Sequence, residues 1–446
     1  MYEGLTLDDL AIRGSSHTPF FGIYLASHAV RDAMCMCHAS VGCKVKTQEH
    51  LVYHDGVQDA HNRRRYSQLI DEDLIQGSTA QLEEEIVAFA ARLGSQVVVI
   101  DCSTPLSLQV QPLKGVVERC RQRTGVDVVA VSARNYDNDL WFGYAATAAA
   151  LFRRQFEVAA QLDPPTVAAD EVSLLGMPFD RYEGDSQGNV AEVRRLLWGL
   201  GLKAKAVFFA GEPYATLADA VRARTHLSLP WMAPALREVR QVAEVAALPV
   251  PMGFDGTRRF VLAAAQASGV SSQRAVSFCQ AELAAAKPLA ELARRALRGR
   301  HYVAFAEAPR LAGLIALCSE LEMVPLALGV THFRLGGRAD VQAMLAREFD
   351  VCVADHVVWL EDPTPQAVAA LGPAQGGAPA LLDRADLVVG SSIERDQLAE
   401  YAGPFLEFGF PSEARHYLLP APWLGFRGAL RLAEQMMQAV VARGGR

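Results

Sequence analysis

The chain has 446 residues, of which 51% are hydrophobic and 21% charged, so it can bury a large core and is not expected to be disordered. Its formal net charge of -7 argues against a nucleic-acid-binding protein, which would carry a basic surface. The N-terminal residues are acidic and lack the apolar core of a signal peptide, and the longest nearly apolar stretch, residues 140–152, is too short to span a bilayer. We therefore expect a cytoplasmic protein that binds neither nucleic acid nor membrane.

Short apolar runs rich in β-branched residues alternate with amphipathic helical segments along the chain. The predicted strands are residues 96–100, 126–131, 171–176, 204–209, 301–305, 325–329, 350–354, 386–390 and 404–408. The predicted helices include residues 189–200, 260–299 and 311–322. This alternation is typical of βαβ units, in which parallel sheets are covered by helices on both faces.

The pattern predicts an α/β fold with three doubly wound, Rossmann-like domains and parallel sheets. We place the domains at residues 1–165, 166–298 and 299–446, and the last of them ends in a C-terminal helix. In such sheets ligands bind outside the carboxyl ends of the strands. The residues at or just after predicted strand ends are Cys102, Gly176, Gly211, Glu307, Gly329, Asp355 and Ser391.

The run His38-Ala-Ser-Val-Gly-Cys43 places a cysteine directly after a glycine. Because Gly42 has no Cβ, backbone or an inorganic cluster can approach this turn closely. Cys102 follows a predicted strand and could supply a second thiolate to the same centre. Two thiolates are too few for a closed four-thiolate iron–sulfur site, so further ligands would have to come from elsewhere. The alternative is that both are ordinary buried thiols.

The other cysteines of the chain are scattered and do not form a disulfide framework. Cys35 and Cys37 could form a local zinc or iron site with Cys43. The alternation of a strand would direct both side chains to one side, and packing in the core is the favoured interpretation. Helical or strand patterns also place four further cysteines in the core: Cys120, Cys279, Cys318 and Cys352.

Several motifs, in order along nearly the whole chain, resemble those of nitrogenase component 1 and its relatives. Residues 27–34 followed by the 38–43 turn are similar to the family's first cluster-binding segment, with its His-Gly-x-x-Gly-Cys turn. Cys102 occupies the place of a later cluster cysteine. Gly409-Phe-Pro-Ser-Glu-Ala-Arg-His416, followed by Leu424-Gly-Phe-Arg-Gly428, resembles a motif that is closer to the β-type than to the α-type subunits.

The chain departs from this family at two cysteine positions. The first cysteine of the family's cluster-bearing subunits falls here at Ser16-His-Thr18, and the cysteine that binds the large cofactor in α-type subunits is absent near residues 226–231. The resemblance therefore implies an iron–sulfur cluster, preferably [4Fe–4S], shared with a partner subunit and held by Cys43 and Cys102. A larger cluster of the P-cluster kind, or an iron–sulfur cofactor elsewhere in the complex, stays open.

Four further residues are candidates for roles around this cluster. His38 could donate a hydrogen bond to a cluster sulfur, or serve only as a cap. Gly42 would allow the cluster to approach, and Ser16 could be an oxygen ligand or part of a plain loop. His416 follows a Gly-Phe-Pro turn and could act as a proton donor near neutral pH, although a hydrogen-bonded interface histidine is an equal alternative.

The resemblance implies the β-like subunit of a nitrogenase-like two-component reductase. An ATP-dependent iron protein would pass electrons through an interface iron–sulfur cluster to a substrate such as a tetrapyrrole or a methylthio-alkane. The expected partners are that iron protein and a homologous α-like subunit, in a heterodimer or an α2β2 tetramer. The chain has no phosphate-binding loop of its own. The alternatives are a scaffold subunit for nitrogenase cofactor assembly and a non-catalytic α/β protein that binds a metal chelate or small ligand.

Overall fold

The structure is a computed structural model that describes residues 18–39, 63–67, 69–102, 113–132, 138–163, 166–372 and 380–441. The strands are β1 Ala33–Cys37, β2 Arg64–Tyr66, β3 Val97–Asp101, β4 Asp127–Val131, β5 Ala168–Leu175, β6 Lys203–Val207, β7 Ala223–Ser228, β8 Val245–Ala247, β9 His301–Ala306, β10 Val324–Val330, β11 Val358–Glu361, β12 Leu387–Gly390 and β13 Phe405–Glu407.

The helices of the described residues cover both faces of the sheets. They are α1 Pro19–His28, α2 Asp71–Gln76, α3 Thr79–Leu93, α4 Leu113–Thr124, α5 Leu140–Ala159, α6 Gly184–Gly199, α7 Leu236–Val239, α8 Gly253–Ala267, α9 Ser272–Leu297, α10 Ala308–Glu320, α11 Arg338–Met344, α12 Pro365–Ala369, α13 Ser392–Gln397 and α14 Gly425–Val441. Among these residues, no helix combines the length and the apolar character that crossing a bilayer requires.

The strands form three sheets in which all neighbours are parallel, which confirms the predicted α/β class. The strand orders are β2-β1-β3-β4, β6-β5-β7-β8 and β11-β10-β9-β12-β13. In each sheet the chain starts at an inner strand, adds strands on one side and then crosses to the other. The sheets are therefore doubly wound, and each has a topological switch point beside its first strand.

Contacts divide the chain into two compact units. The first unit contains Gly14–Tyr182 and Lys203–Ala247, and so carries the first two sheets. The second unit contains Glu183–Leu202 and Leu248–Arg446, and carries the third sheet. The division into three domains at residues 165 and 298 stays a prediction.

The predicted strand at residues 350–354 is wrong. Asp350 has a left-handed backbone with φ 56°, where a π-helical turn over Leu345–Phe349 ends. The edge of β10 pairs instead with β11, so the apolar run at 351–354 has no strand partner. Cys352 is consequently exposed rather than in the core, whereas the other three cysteines expected there are buried.

Two helices of the first unit, α1 and α5, cross at a pair of glycines. A Cβ on Gly22 would lie 1.8 Å from the Leu140 oxygen, and one on Gly143 would lie 2.0 Å from the Pro19 oxygen. Every residue of α1 is buried. The two backbones therefore touch directly, and no side chain larger than hydrogen fits at the crossing.

We expect Gly143→Ala to lower the free energy of unfolding by at least about 2 kcal/mol, because the new methyl group must displace backbone. Gly115→Ala in α4 is the matched control. Its Cβ would meet only the far end of the Arg119 side chain, at 3.1 Å, and its effect should stay within about 1 kcal/mol. Urea denaturation of both variants measures the difference, and equal effects would contradict the tight crossing.

Candidate functional site

The first candidate site lies at the switch point between β1 and β3. Cys37, the last residue of β1, is paired with Asp101, the last residue of β3. The His38 backbone N–H donates to the Asp101 carbonyl oxygen over 3.1 Å. The structure thus brings His38 and Cys102 to one edge of the sheet, as the sequence predicted. Cys43, Gly42 and Ser16 lie outside the described residues.

The thiols at this edge point to two different faces of the sheet. Cys102 packs in the apolar cluster that contains Met36 and Ile100, between the sheet and helices α3 and α4. Cys35 and Cys37 alternate with the methionines of β1 and so lie on the opposite face, with their sulfurs 3.8 Å apart. This confirms that both project to one side. Among the described residues, no three His, Cys, Asp or Glu side chains converge on a possible metal position.

Burial strongly disfavours the thiolate form at this edge. It raises the pKa of the Cys37 thiol well above its usual range, and the neighbouring Cys35 and Asp101 add to the effect. The pKa of Cys102 is raised too, first by burial and then by the negative charge of Asp101. A thiolate ligand here therefore needs a bound cation to offset the desolvation of its charge. The described residues fit the donation of one thiolate from Cys102, but they do not enclose a whole cluster.

His38 is buried and held by two serines. Its Nδ1 lies 2.9 Å from the Ser67 hydroxyl and its Nε2 lies 2.8 Å from the Ser78 hydroxyl. Burial lowers the pKa of His38 to about 4, although the nearby Asp73 carboxylate opposes the shift. The imidazole is therefore neutral at physiological pH. Its two contacts connect the end of β1 to Ser67 and Ser78. A hydrogen bond from His38 to a cluster sulfur stays a prediction.

The switch points of the other two sheets are filled by the chain itself. Gly176 follows β5 with φ 74°, and a Cβ there would lie 2.9 Å from the Leu229 oxygen that follows β7. Beyond β9, the fully buried Arg310 pairs with Glu307 over 3.0 Å and stacks on Trp423, with 4.6 Å from the guanidinium carbon to the ring centroid. Among the described residues, the edge beyond β1 and β3, where His38 and Cys102 lie, is the candidate ligand site.

His416 lies in the second unit, where it is oriented by a buried carboxylate. Its Nδ1 is 2.7 Å from Glu183 Oε1, and the other carboxylate oxygen accepts from the Tyr417 backbone N–H over 2.9 Å. The Glu183 side chain is fully buried, whereas that of His416 is 39% exposed. Glu183 precedes α6, and nothing in the sequence pattern pointed to it. The pair leaves one edge of the imidazole available at the surface.

The chain matches the model of the family of nitrogenase component 1 type oxidoreductases over residues 18–441. It belongs to that family. It is also 23% identical to the B-type polypeptide of the light-independent protochlorophyllide reductase of Heliobacterium modesticaldum (strain ATCC 51547 / Ice1) over 378 residues, which are 82% of this chain and 67% of that protein. The resemblance inferred from the motifs is thereby confirmed.

Solved structures of nitrogenase Cp1 share the fold of this component 1 type chain. The structure at pH 6.5 superimposes with a TM-score of 0.76 at 15% identity, over 96% of this chain and 93% of the other. The structure at pH 5 gives a TM-score of 0.68 at 13% identity, over 96% and 89%. The polypeptide of this oxidoreductase therefore follows the component 1 architecture over nearly its whole length.

We expect the neutral, buried His38 to make the protein acid-sensitive. Because its folded pKa of about 4 lies below the ordinary value of 6.5, its contribution is fully present above pH 6.5 and is lost as the pH falls through 4. The loss is on the order of 3 kcal/mol of unfolding free energy. His38→Gln should flatten this pH dependence, whereas His356→Gln at an exposed position should not. Denaturant titrations at a series of pH values measure the free energy of unfolding of all three proteins. If that free energy falls equally for all three between pH 6.5 and pH 4, His38 is not the source of the acid sensitivity.

Proposed function

We propose that this chain is the β-like subunit of a nitrogenase-like two-component reductase. The single observation that carries the proposal is that His38 and Cys102 follow two paired strand ends at the switch point between β1 and β3, in a chain of this family. The proposed partners are a homologous α-like subunit, in a heterodimer or an α2β2 tetramer, and an ATP-dependent iron protein.

The proposed cofactor is an iron–sulfur cluster, preferably [4Fe–4S], to which Cys43 and Cys102 contribute thiolates. When bound, the cluster would supply one-electron transfer at low potential. Gly42 and Ser16 are proposed to lie against it, and the partner subunit completes the ligands. Cys102 lies at the end of β3 among apolar side chains, so a cluster bound there would have this sulfur shielded from water and held in a fixed position.

His416 is proposed to hold and deliver a proton during reduction. Glu183 keeps the imidazole in place through Nδ1, and the side chain is 39% exposed, so Nε2 is proposed as the atom that holds the proton. Reduction of an organic substrate consumes protons together with electrons, so a positioned donor is required. The proposed substrates are tetrapyrroles or methylthio-alkanes, and the first class is supported by the similarity to a polypeptide of a protochlorophyllide reductase.

We expect Cys43→Ala and Cys102→Ala each to lose most of the bound iron while the protein stays folded. Cys120→Ala is the control, because this thiol is buried in the same unit but away from the switch point. The measurement is iron and sulfide content with EPR spectra of the anaerobically purified complex. Unchanged iron in both variants would exclude these ligands. An intact cluster without substrate turnover would instead indicate a scaffold for cofactor assembly.

We expect His416→Gln to lower kcat by on the order of a hundredfold, with little change in KM, because only proton delivery is removed. Glu183→Gln should alter the pH profile of kcat while cluster content stays constant, since the imidazole loses its anchor. Asp185→Asn, two residues further along α6, is the control. A pH profile that both His416 and Glu183 variants leave unchanged would assign the pair a purely structural role.

A further inference from the structure

Glu407 is a buried carboxylate at the end of β13, where it is 4% exposed. Its Oε1 accepts hydrogen bonds from the Ser412 hydroxyl over 2.7 Å and from the Ala414 backbone N–H over 2.9 Å. Its Oε2 accepts from the Arg395 guanidinium, which belongs to α13, over 2.7 Å. The carboxylate therefore joins the turn that follows its own strand to the helix that follows the neighbouring strand β12.

The Glu407 side chain carries its charge in spite of this burial. Burial opposes ionisation, but the Ala414 N–H, the Ser412 hydroxyl and the Arg395 guanidinium together hold the pKa of this carboxyl below its ordinary value. Hydrogen bonds to an ionised acceptor are stronger than those between neutral groups. The turn is thus attached to the strand end by bonds of the stronger kind.

A second set of bonds attaches the same turn to the start of α13. The Ser392 backbone N–H donates to the Pro411 carbonyl oxygen over 2.9 Å, and the Ser392 hydroxyl accepts from the Glu413 backbone N–H over 2.8 Å. Each of the four residues 411–414 makes one of these bonds, either to Glu407 or to Ser392. The turn is consequently fixed to both the strand and the helix.

His416 comes two residues after this turn and is held from its other side. The Tyr417 backbone N–H binds Glu183, as does the His416 ring, and the Tyr417 carbonyl oxygen accepts from the Gly184 N–H over 2.8 Å. A buried carboxylate therefore holds the chain on each side of the imidazole, Glu407 before it and Glu183 after it. Held at one end only, this segment could pivot and carry the ring with it.

We propose that Glu407 is a positioning residue for His416 and that it acts through the turn at residues 411–414. The inference rests on the proton-delivering role proposed above for His416. Among the described residues no hydrogen bond joins Glu407 to the imidazole itself, so its effect must pass along the chain. Proton transfer is sensitive to such placement, because a displacement of about 1 Å can lower a rate on the order of a hundredfold.

The first experiment follows hydrogen exchange in the full chain by mass spectrometry and does not depend on activity. In Glu407→Ala the amides of residues 411–414 should exchange at least about tenfold faster than in the wild type, because the turn loses its acceptor. Ser412→Ala removes a single donor and should have a smaller effect. Arg395→Gln is the control, since this arginine is 46% exposed and its pairing contributes little to stability.

The Tyr417 amide shows whether the disturbance passes His416. This N–H is bound by Glu183 and has no bond to Glu407. If Glu407 positions the imidazole, the Tyr417 amide should also exchange faster in Glu407→Ala, whereas a disturbance confined to the turn would leave it protected. An unchanged Tyr417 amide would overturn the proposal, and so would unchanged exchange at residues 411–414.

The second experiment measures kcat and KM of the complex between about pH 6 and about pH 9. Glu407→Ala should lower kcat at least about tenfold with little change in KM, and should alter the pH profile of kcat as the His416 variant does. Glu407→Gln should restore most of kcat, because its amide oxygen can still accept both bonds from the turn. Gly143→Ala, which is destabilised in the other unit, should keep the wild-type pH profile and so controls for lost stability.

The two experiments separate a failure of this inference from a failure of the proposed function. A normal pH profile in Glu407→Ala, together with an impaired His416→Gln, would overturn the positioning role while leaving the proton donor in place. If His416→Gln is itself fully active, the proposed role of the histidine is wrong. The exchange of the Tyr417 amide then still decides whether Glu407 holds this segment in position.

Discussion

The parallel pairing of β1 with β3 is the constraint on which the candidate site depends. Its register, from Ala33 opposite Val97 to Cys37 opposite Asp101, ends both strands at the same level. The residues that follow, His38 and Cys102, must then emerge side by side. Since both strands are buried on both faces, every ionisable group at their ends is desolvated, and this raises the pKa of the thiols and lowers that of the histidine. A thiolate at this edge would therefore need a bound cation to offset the desolvation of its charge.

The three sheets share one winding but differ in what fills the switch point. Beyond β5 the backbone closes over Gly176, and beyond β9 the guanidinium of Arg310 occupies the space between Glu307 and Trp423. The charge of this buried arginine is offset by the Glu307 carboxylate and its guanidinium lies against aromatic rings, so removing it would leave an uncompensated carboxylate. The fold therefore offers the same crevice repeatedly, while side chains decide where a ligand can enter. Architecture alone does not assign the site.

The sequence alone predicts the features of the fold that depend on the local pattern of apolar and polar residues. Strands such as β3 and β4 are buried runs of β-branched residues, and the strand end that carries Cys102 follows from them. The strand predicted at residues 350–354 is wrong, because β11 rather than this apolar run pairs with the edge of β10. The sequence pattern also missed Ser67 and Glu183, which meet His38 and His416 across 29 and 233 residues of chain. Such partners are chosen by tertiary packing and leave no periodic signal.

Two independent properties of the chain indicate that it functions in an assembly. Among the described residues, Cys102 lies on one face of the first sheet and Cys35 and Cys37 lie on the other. A cluster with several thiolates would therefore have to draw ligands from elsewhere. Among the described residues, Leu289 and Leu292 of α9 stay more than half exposed beside the packed face of that helix. The first property concerns an incomplete set of ligands and the second an incomplete burial of apolar surface. A partner that supplied further ligands would let a cluster form with its thiolates compensated, and a partner that covered the leucines would bury apolar surface.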